Sequence, residues 1–191
     1  MTALFDVPAN PSHPARYTDV LLPVMASMLK GRRRILDIFG GAGGVFALEH
    51  WLGADVQIEA IELEPEFAAM HHRTRQGNAL HLPWANNTFD AICTSPGYGN
   101  RLADKYRPDA DCFGYAQSLQ RELHPDNGGG AQWNPNGGKY QVLHVLAYAE
   151  ARRVLCEGGG FVLNMKDHYR NEVLQNVTDW HVNTLKALGF A

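Results

Sequence analysis

Residues 37–44 read Asp-Ile-Phe-Gly-Gly-Ala-Gly-Gly, and their first three residues complete the short, mostly apolar run of residues 34–39 (Arg-Ile-Leu-Asp-Ile-Phe). A short apolar run that ends in glycines predicts a buried strand followed by a tight turn. Residues 45–52 then predict a helix whose free N–H groups face the same turn. Because glycine lets the backbone approach a ligand closely, this unit predicts a cofactor site. The pattern alone also fits a plain turn or a dinucleotide site.

Strand and helix patterns alternate along the rest of the chain. Strands are predicted over residues 56–62, 74–77, 89–95 and 161–165, and long helices over 140–155 and 173–188. The alternation predicts an α/β fold, a Rossmann-like parallel sheet with helices on both faces. The loops after the strands then lie along one edge, where such sheets bind ligands. We expect one domain over residues 1–191, with an irregular insertion at about 99–139.

Composition and charge narrow the class of protein. The chain is 45% hydrophobic and 19% charged, as in globular proteins. Its formal net charge is -3, so any contact with nucleic acid must depend on local patches. The three cysteines show no CxxC spacing, which predicts no metal site and a reducing, cytoplasmic location. Neither a signal-peptide pattern nor a membrane-spanning run is present, so no membrane association is expected.

A second acidic residue favours one cofactor. Glu62 ends the next predicted strand, about twenty residues after the turn, where a carboxylate can accept both hydroxyls of a ribose. Asp37 inside the turn would repel a phosphate and attract an ammonium group. The pair therefore favours S-adenosylmethionine, which carries a methionyl amine, over a dinucleotide. Asn78, after the third strand, would contact the adenine edge through its amide oxygen, although asparagine also suits a turn.

Four segments together resemble the class I S-adenosylmethionine-dependent methyltransferases. They are DIFGGAGG (37–44), IELEP (61–65), GNALHLPW (77–84) and FDAICTSPGYGN (89–100). The resemblance covers nearly the whole chain and implies this set of cofactor contacts: Asp37, Phe39, Gly40, Gly41 and Gly43 around the methionine moiety, Glu62 on the ribose, and Leu63, Asn78 and Ala79 beside the adenine. The family more often has aspartate at position 78, which implies weaker affinity here. An N-terminal segment contacts the cofactor's carboxylate end in members with this motif order, and Pro14, Tyr17 and Thr18 are the candidates.

Residues 95–98 (Ser-Pro-Gly-Tyr) resemble the (Asp/Asn/Ser)-Pro-Pro-Tyr motif of amino-methylating nucleic-acid methyltransferases. An exocyclic base amine is a poor nucleophile because its lone pair is delocalised into the ring. The Ser95 hydroxyl and the Pro96 carbonyl would hold its hydrogens, and Tyr98 would stack on the base. Gly97 replaces the second proline of the motif, so a looser turn is expected. A purely structural turn stays an alternative.

The resemblance extends to small DNA-methyltransferase-like proteins of phages and actinobacteria, through residues 161–168 and 178–181. Arg101 and Lys105 lie close in sequence to the turn of residues 95–98 and are expected to approach phosphates, and Lys166 is expected to reach substrate. The class I fold normally has two more strands after the last helix, and the sequence lacks them. We expect the N-terminal arm or a second copy to cover the open sheet edge, which makes a homodimer one prediction.

These observations predict a methyltransferase that acts on an exocyclic amine of a DNA base, at adenine N6 or cytosine N4. The expected partner is nucleic acid, DNA rather than RNA. Methylation of an RNA base stays open, because the same turn serves both polymers. So does a cofactor-binding regulatory protein with little or no catalysis, which Gly97, the missing strands and the acidic balance favour.

Overall fold

The computed structural model describes His13, Tyr17 and residues 20–100, 105–108 and 114–190. The strands in this part of the chain are β1 (Arg34–Asp37), β2 (Gln57–Glu62), β3 (Thr74–Gln76), β4 (Phe89–Thr94), β5 (Leu155–Leu163), β6 (His168–Arg170) and β7 (Val173–Gln175). The α-helices are α1 (Leu22–Met28), α2 (Glu49–Leu52), α3 (Pro65–Ala68), α4 (Tyr115–Leu119), α5 (Lys139–Val154) and α6 (Val177–Ala187). Short 3-10 helices lie at Gly44–Leu48 and Gly128–Gly130.

Strands β1 to β5 form one parallel sheet in the order β3-β2-β1-β4-β5. The predicted α/β fold with a parallel sheet is therefore confirmed. After β3 the chain returns to the far side of β1, so the loops after β1 and β4 leave in opposite directions. This switch point is where open parallel sheets bind ligands.

Alternate residues of the strands enter two apolar clusters, one on each face of the sheet. The first cluster joins the sheet to α5 and α6 and includes Leu36, Ile92, Tyr148, Ala151 and Leu185. The second joins the opposite face to α1 and to the 3-10 helix after β1, and it includes Met25, Ile35, Phe46, Leu48 and Ala91. The sheet is thus covered on both faces, as its apolar strands require.

The helix predicted over residues 140–155 ends at Val154 as α5, and the glycine-rich residues 157–160 do not form its cap. Leu155 already has an extended backbone (ψ 134°), and β5 starts there. Leu155 pairs with Phe89 and Gly160 with Ala91, so the register shifts between these pairs. Gly158 takes a positive φ of 70° in this irregular stretch. The glycines therefore form a distorted first half of the strand.

Residues 168–175 form a β-hairpin instead of the predicted start of the last helix. Strands β6 and β7 pair antiparallel, and the turn residues Asn171 and Glu172 both have positive φ, 49° and 63°. Two successive positive φ angles are typical of a two-residue hairpin turn. Helix α6 begins after the hairpin, where the Asp167 carboxylate accepts the Thr178 backbone N–H at 2.8 Å.

Strand β5 forms an edge of the sheet, and no described strand pairs with its outer side. Phe190, after α6, packs on Phe161 of β5 with ring centroids 5.1 Å apart. Cover of this edge by the N-terminal arm or by a second copy stays a prediction, because the arm lies almost entirely outside the described residues. In the part of the chain that the structure describes, no helix is long and apolar enough to cross a membrane.

Candidate functional site

A cavity of about 590 Å³ lies at the carboxyl ends of β1, β2 and β4. Twelve of the predicted cofactor and catalytic residues line it: Tyr17, Asp37, Phe39, Gly40, Gly41, Glu62, Leu63, Asn78, Ala79, Ser95, Pro96 and Tyr98. Gly43 is not among the lining residues. A Cβ atom at Gly43 would lie 2.5 Å from the Cβ of His71, so this glycine permits packing of the turn, and Gly44 lines the cavity instead.

Asp37 ends β1 as a carboxylate with only 1% exposure. Its Oδ1 accepts the Thr94 hydroxyl at 2.6 Å and the Phe39 backbone N–H at 3.0 Å. Its Oδ2 accepts the Tyr17 hydroxyl at 3.3 Å. Burial raises the pKa of Asp37 to about 6, and these hydrogen bonds oppose the rise. The carboxyl is therefore mostly ionised at neutral pH, and it sits at the cavity wall.

Glu62 ends β2 and holds the glycine turn against that strand. Its carboxylate accepts the backbone N–H groups of Gly41 and Glu64, each at 2.9 Å. Burial raises the pKa of Glu62 to about 7, against the opposing effect of these two bonds. A carboxylate has about four acceptor positions, so acceptor capacity remains for a ligand diol in the cavity.

Asn78 is bonded at both ends of its amide. Its Oδ1 accepts the Leu80 backbone N–H and its Nδ2 donates to Asp126, each at 2.9 Å. The oxygen that was predicted to contact adenine thus already has an internal partner. Asp126 lines the same part of the cavity and supplies the carboxylate that position 78 lacks. The sequence reasoning missed Asp126, because it is distant in the chain and belongs to the insertion.

Residues 126–129 line the cavity, and the segment that leads to them is held by the buried carboxylate of Glu64. Glu64 is 1% exposed and lies 2.8 Å from the Arg121 guanidinium. Its carboxylate also accepts the His124 backbone N–H at 2.8 Å and the Asn127 side-chain N–H at 2.9 Å. These contacts connect the insertion to the loop after β2.

The turn at residues 95–98 follows β4 directly. Asn164, at the end of β5, donates its amide to the Ser95 hydroxyl at 3.3 Å and to the Tyr98 hydroxyl at 3.5 Å. A Cβ atom at Gly97 would lie 2.5 Å from the Cα of Gly129. Glycine at position 97 therefore permits close backbone packing that a side chain there would block, and the looser turn stays a prediction.

Two of the predicted substrate contacts, Lys105 and Lys166, are described by the structure, and neither lines the cavity. Lys105 is exposed. Lys166 places its Nζ 5.8 Å from the centre of the Tyr98 ring. Arg101, Pro14 and Thr18 fall outside the described residues.

His13 and Tyr115 line the cavity as well, and the sequence reasoning missed both. His13 packs edge-on against Phe67 with ring centroids 4.5 Å apart, and it lies 5.6 Å from the Tyr115 ring. Neither residue belongs to a recognisable motif. Among the described residues, no three His, Cys, Asp or Glu side chains come together as metal ligands.

Solved structures share this architecture. The PH0226 protein from Pyrococcus horikoshii OT3 has a TM-score of 0.54 at 15% identity, over 87% of this chain and 77% of its own. A candidate methyltransferase from an antibiotic biosynthesis pathway of Anabaena variabilis also has a TM-score of 0.54 at 15% identity, over 93% and 63%. The YcgJ protein of Bacillus subtilis has a TM-score of 0.46 at 19% identity over 76% of this chain, which spans about half (50%) of its length.

The two likenesses with a TM-score of 0.54 show the fold alone, a Rossmann-like α/β fold that this chain shares with the Anabaena variabilis candidate methyltransferase. No protein-family model matches the sequence, and no curated protein matches it either. The predicted relation to small phage and actinobacterial DNA-methyltransferase-like proteins therefore stays a prediction.

Proposed function

We propose that this protein transfers a methyl group from S-adenosylmethionine to an exocyclic amine, and that the amine belongs to a DNA base. One observation carries the proposal: the buried carboxylate of Asp37 and the half-buried carboxylate of Glu62 share a cavity with the Ser-Pro-Gly-Tyr turn of residues 95–98. The fold supports the cofactor class, since the carboxylates lie at its switch point.

The charge of the cavity favours a cationic cofactor over a phosphorylated one. Three carboxylates, those of Asp37, Glu62 and Asp126, line it, and none of its described lining residues is lysine or arginine. A pyrophosphate would be repelled there. Asp37 would hold the ammonium group, Glu62 the ribose hydroxyls, and the carboxylate of Asp126 the amino group of adenine.

The acceptor turn can hold an amine by its hydrogens. The Ser95 hydroxyl accepts from Asn164 and lies 3.3 Å from the Tyr98 hydroxyl. When Ser95 is the donor to Tyr98, one lone pair of Ser95 is left for an incoming N–H. The Pro96 carbonyl supplies the second acceptor, and the Tyr98 ring offers a stacking face. Bound S-adenosylmethionine would supply the methyl group: the N–C bond forms as the C–S bond breaks, and the amine loses its proton to solvent.

A free small-molecule amine is the second candidate acceptor. The formal net charge of -3 and the absence of cations among the described lining residues favour an acceptor without phosphates. A DNA base would enter the cavity flipped out of the duplex, with its phosphates outside, on the side of Lys166 and Lys105. An RNA base would be held in the same way.

Labelled S-adenosylmethionine incubated with DNA, RNA, a set of small amines or no acceptor separates these candidates. We expect label in DNA as N6-methyladenine or N4-methylcytosine. Ser95→Ala should lower transfer at least about tenfold, as expected when a hydrogen bond to the reacting group is lost, and leave cofactor binding intact. Ser27→Ala, on the exposed face of α1, is the matched control.

Each other result has a distinct meaning. Label only in RNA or only in a small amine overturns the DNA assignment and keeps the methyltransferase. Cofactor binding with no transfer to any acceptor supports the regulatory alternative. Undiminished transfer by the Ser95→Ala variant removes Ser95 from the mechanism.

A further inference from the structure

A buried chain of three side chains ends on the acceptor turn. The Tyr148 hydroxyl lies 2.7 Å from His181 Nδ1, and His181 Nε2 lies 2.8 Å from the Tyr140 hydroxyl. The Tyr140 hydroxyl in turn donates to the Gly97 carbonyl at 2.7 Å. All three side chains are completely buried. The two tyrosines belong to α5 and the histidine to α6.

The direction of every hydrogen bond follows from the last one. A carbonyl can only accept, so Tyr140 donates to Gly97, and its oxygen must accept from His181 Nε2–H. Burial lowers the pKa of His181 to about 2, so the ring is neutral and its Nδ1 accepts from Tyr148. Burial also raises the pKa of both tyrosines, so they remain donors. Bonds aligned in one direction strengthen one another.

The hydrogen-bond chain ends on Gly97, the one position where the turn of residues 95–98 departs from the methyltransferase motif that it resembles. Gly97 lacks the ring that would restrict its backbone, and it packs against Gly129 so closely that no side chain fits. The Tyr140 bond orients its carbonyl. Gly97 lies between Pro96 and Tyr98 in the sequence, and these two residues supply the carbonyl and the ring that are assigned to the acceptor.

We propose that Tyr140, oriented by His181 and Tyr148, is a positioning residue that fixes the Gly97 carbonyl and thereby aims the turn at the acceptor amine. Tyr140 does not itself touch the acceptor. The catalytic part of this inference rests on the proposed methyl transfer, whereas the hydrogen-bond chain and its effect on the turn do not. The rival explanation is that the chain only stabilises the packing of α5 on α6.

Nuclear magnetic resonance tests the chain without any activity. The ¹⁵N resonances of His181 should show a neutral ring with the proton on Nε2 at pH 7. An Nδ1–H tautomer or a charged ring would overturn the proposal, and this measurement needs no variant.

The effect on the turn has an internal control. With ¹³C-carbonyl glycine and ¹⁵N-tyrosine, only the Gly97–Tyr98 and Gly114–Tyr115 peptides carry both labels. Tyr140→Phe should shift the Gly97 carbonyl resonance and leave that of Gly114 unchanged. Tyr169→Phe, at a 73% exposed side chain, should move neither. An unmoved Gly97 resonance, or equal shifts at both glycines, would contradict a specific role in the turn.

Kinetics then separate positioning from packing. Tyr140→Phe should lower kcat about tenfold, the upper range for one hydrogen bond, with the cofactor Kd within about twofold of the unaltered protein. Tyr148→Phe, one bond further away, should lower kcat about threefold. A weakened cofactor Kd with unchanged kcat would favour the packing explanation. If the unaltered protein methylates nothing, the proposed function fails, and the resonance experiments still decide the role of Tyr140.

Discussion

The cofactor end and the acceptor end of the cavity are stabilised by different kinds of contact. At the cofactor end, Asp37 and Glu62 bind backbone N–H groups two residues further along the chain, those of Phe39 and Glu64. At the acceptor end, the turn of residues 95–98 depends on side chains from distant elements. Tyr140 of α5 bonds the Gly97 carbonyl, and Asn164 after β5 bonds the Ser95 hydroxyl.

This difference separates binding from transfer within one cavity. Each cofactor carboxylate has a local backbone bond, and Asp37 is held in addition by Thr94 of β4 and by Tyr17. The acceptor turn has contacts with α5 through Tyr140, with the residue after β5 through Asn164, and with the β6–β7 hairpin through Arg170 at Gly99. Substitutions at the two ends should therefore affect different steps: cofactor affinity at one end and the rate of transfer at the other.

The largest effect is expected from Asp37→Asn. The amide cannot provide a negative charge for an ammonium group, and hydrogen bonds to charged groups contribute about 1.5–3 kcal/mol. We expect S-adenosylmethionine to bind about 100-fold more weakly by calorimetric titration, equivalent to about 2.7 kcal/mol. Asp55→Asn, at an exposed position away from the cavity, should bind normally. A loss smaller than about threefold would exclude Asp37 from ammonium binding.

The second effect tests the partnership of Asn78 and Asp126. Asn78→Asp places two carboxylates where an amide now donates across 2.9 Å, and like charges at hydrogen-bond distance repel. Cofactor affinity should fall about tenfold, or about 1.4 kcal/mol. Adding Asp126→Asn restores one carboxylate and one amide, so the double variant should recover most of the affinity. A double variant no better than the single one would show that the pair does not face the adenine.

The carboxylates of the cofactor end could be predicted from the sequence because each ends a strand and has a local backbone bond. Asp37 and Glu62 each follow a strand that the apolar pattern marks, and parallel strands bring their ends to one edge. Thr94 and Asp126 were missed because their partners are 57 and 48 residues away. The same holds for Tyr140, which is 43 residues from Gly97: nothing in its helical pattern indicates what its hydroxyl reaches.

The errors in secondary structure have a similar origin. Residues 173–175 fit a helical pattern, yet Asn171 and Glu172 take the left-handed conformation of a hairpin turn and pair these residues with β6. Likewise, glycines 158–160 resemble a helix cap, whereas pairing with β4 draws them into β5. In both places a neighbour that is distant in the sequence decides between two locally acceptable structures.

A third, smaller effect is expected at the acceptor end from Arg170→Ala. The Arg170 guanidinium donates to the Gly99 carbonyl at 2.7 Å and to the Trp133 carbonyl at 2.8 Å, so it connects the hairpin to the segment after the turn. We expect kcat to fall about fivefold, as for one net hydrogen bond, with cofactor affinity unchanged. Arg152→Ala, exposed on α5, is the matched control. A loss of cofactor affinity in Arg170→Ala would show that the two ends are coupled.

The smallest effect is the pH dependence of cofactor affinity that Asp37 contributes. Burial raises the pKa of Asp37 to about 6, and its polar neighbours Tyr17 and Cys93 have pKa values raised above their ordinary range, so they stay neutral near pH 7. A bound ammonium group favours the carboxylate. Affinity is therefore highest above pH 6 and is lost as the pH falls through that value.

The size of this effect follows from linkage. Between pH 7.5 and pH 5.5, protonation of a group with a pKa of about 6 should reduce cofactor affinity about fourfold. Calorimetric titrations of the unaltered protein and of Asp37→Asn at both pH values separate the contribution of Asp37 to this change from any contribution of Glu62. Without cofactor, stability depends on pH in the opposite direction. The carboxyl groups of Asp37 and Glu62 lose their protons near pH 4 in the unfolded state, so the free energy of unfolding should decrease from pH 4 to pH 7. Equal pH dependence of affinity in both proteins would show that Asp37 does not titrate in this range. If stability decreases and cofactor affinity increases with rising pH, as expected, then the buried carboxylate of Asp37 destabilises the unbound protein and binds the ammonium group of the cofactor.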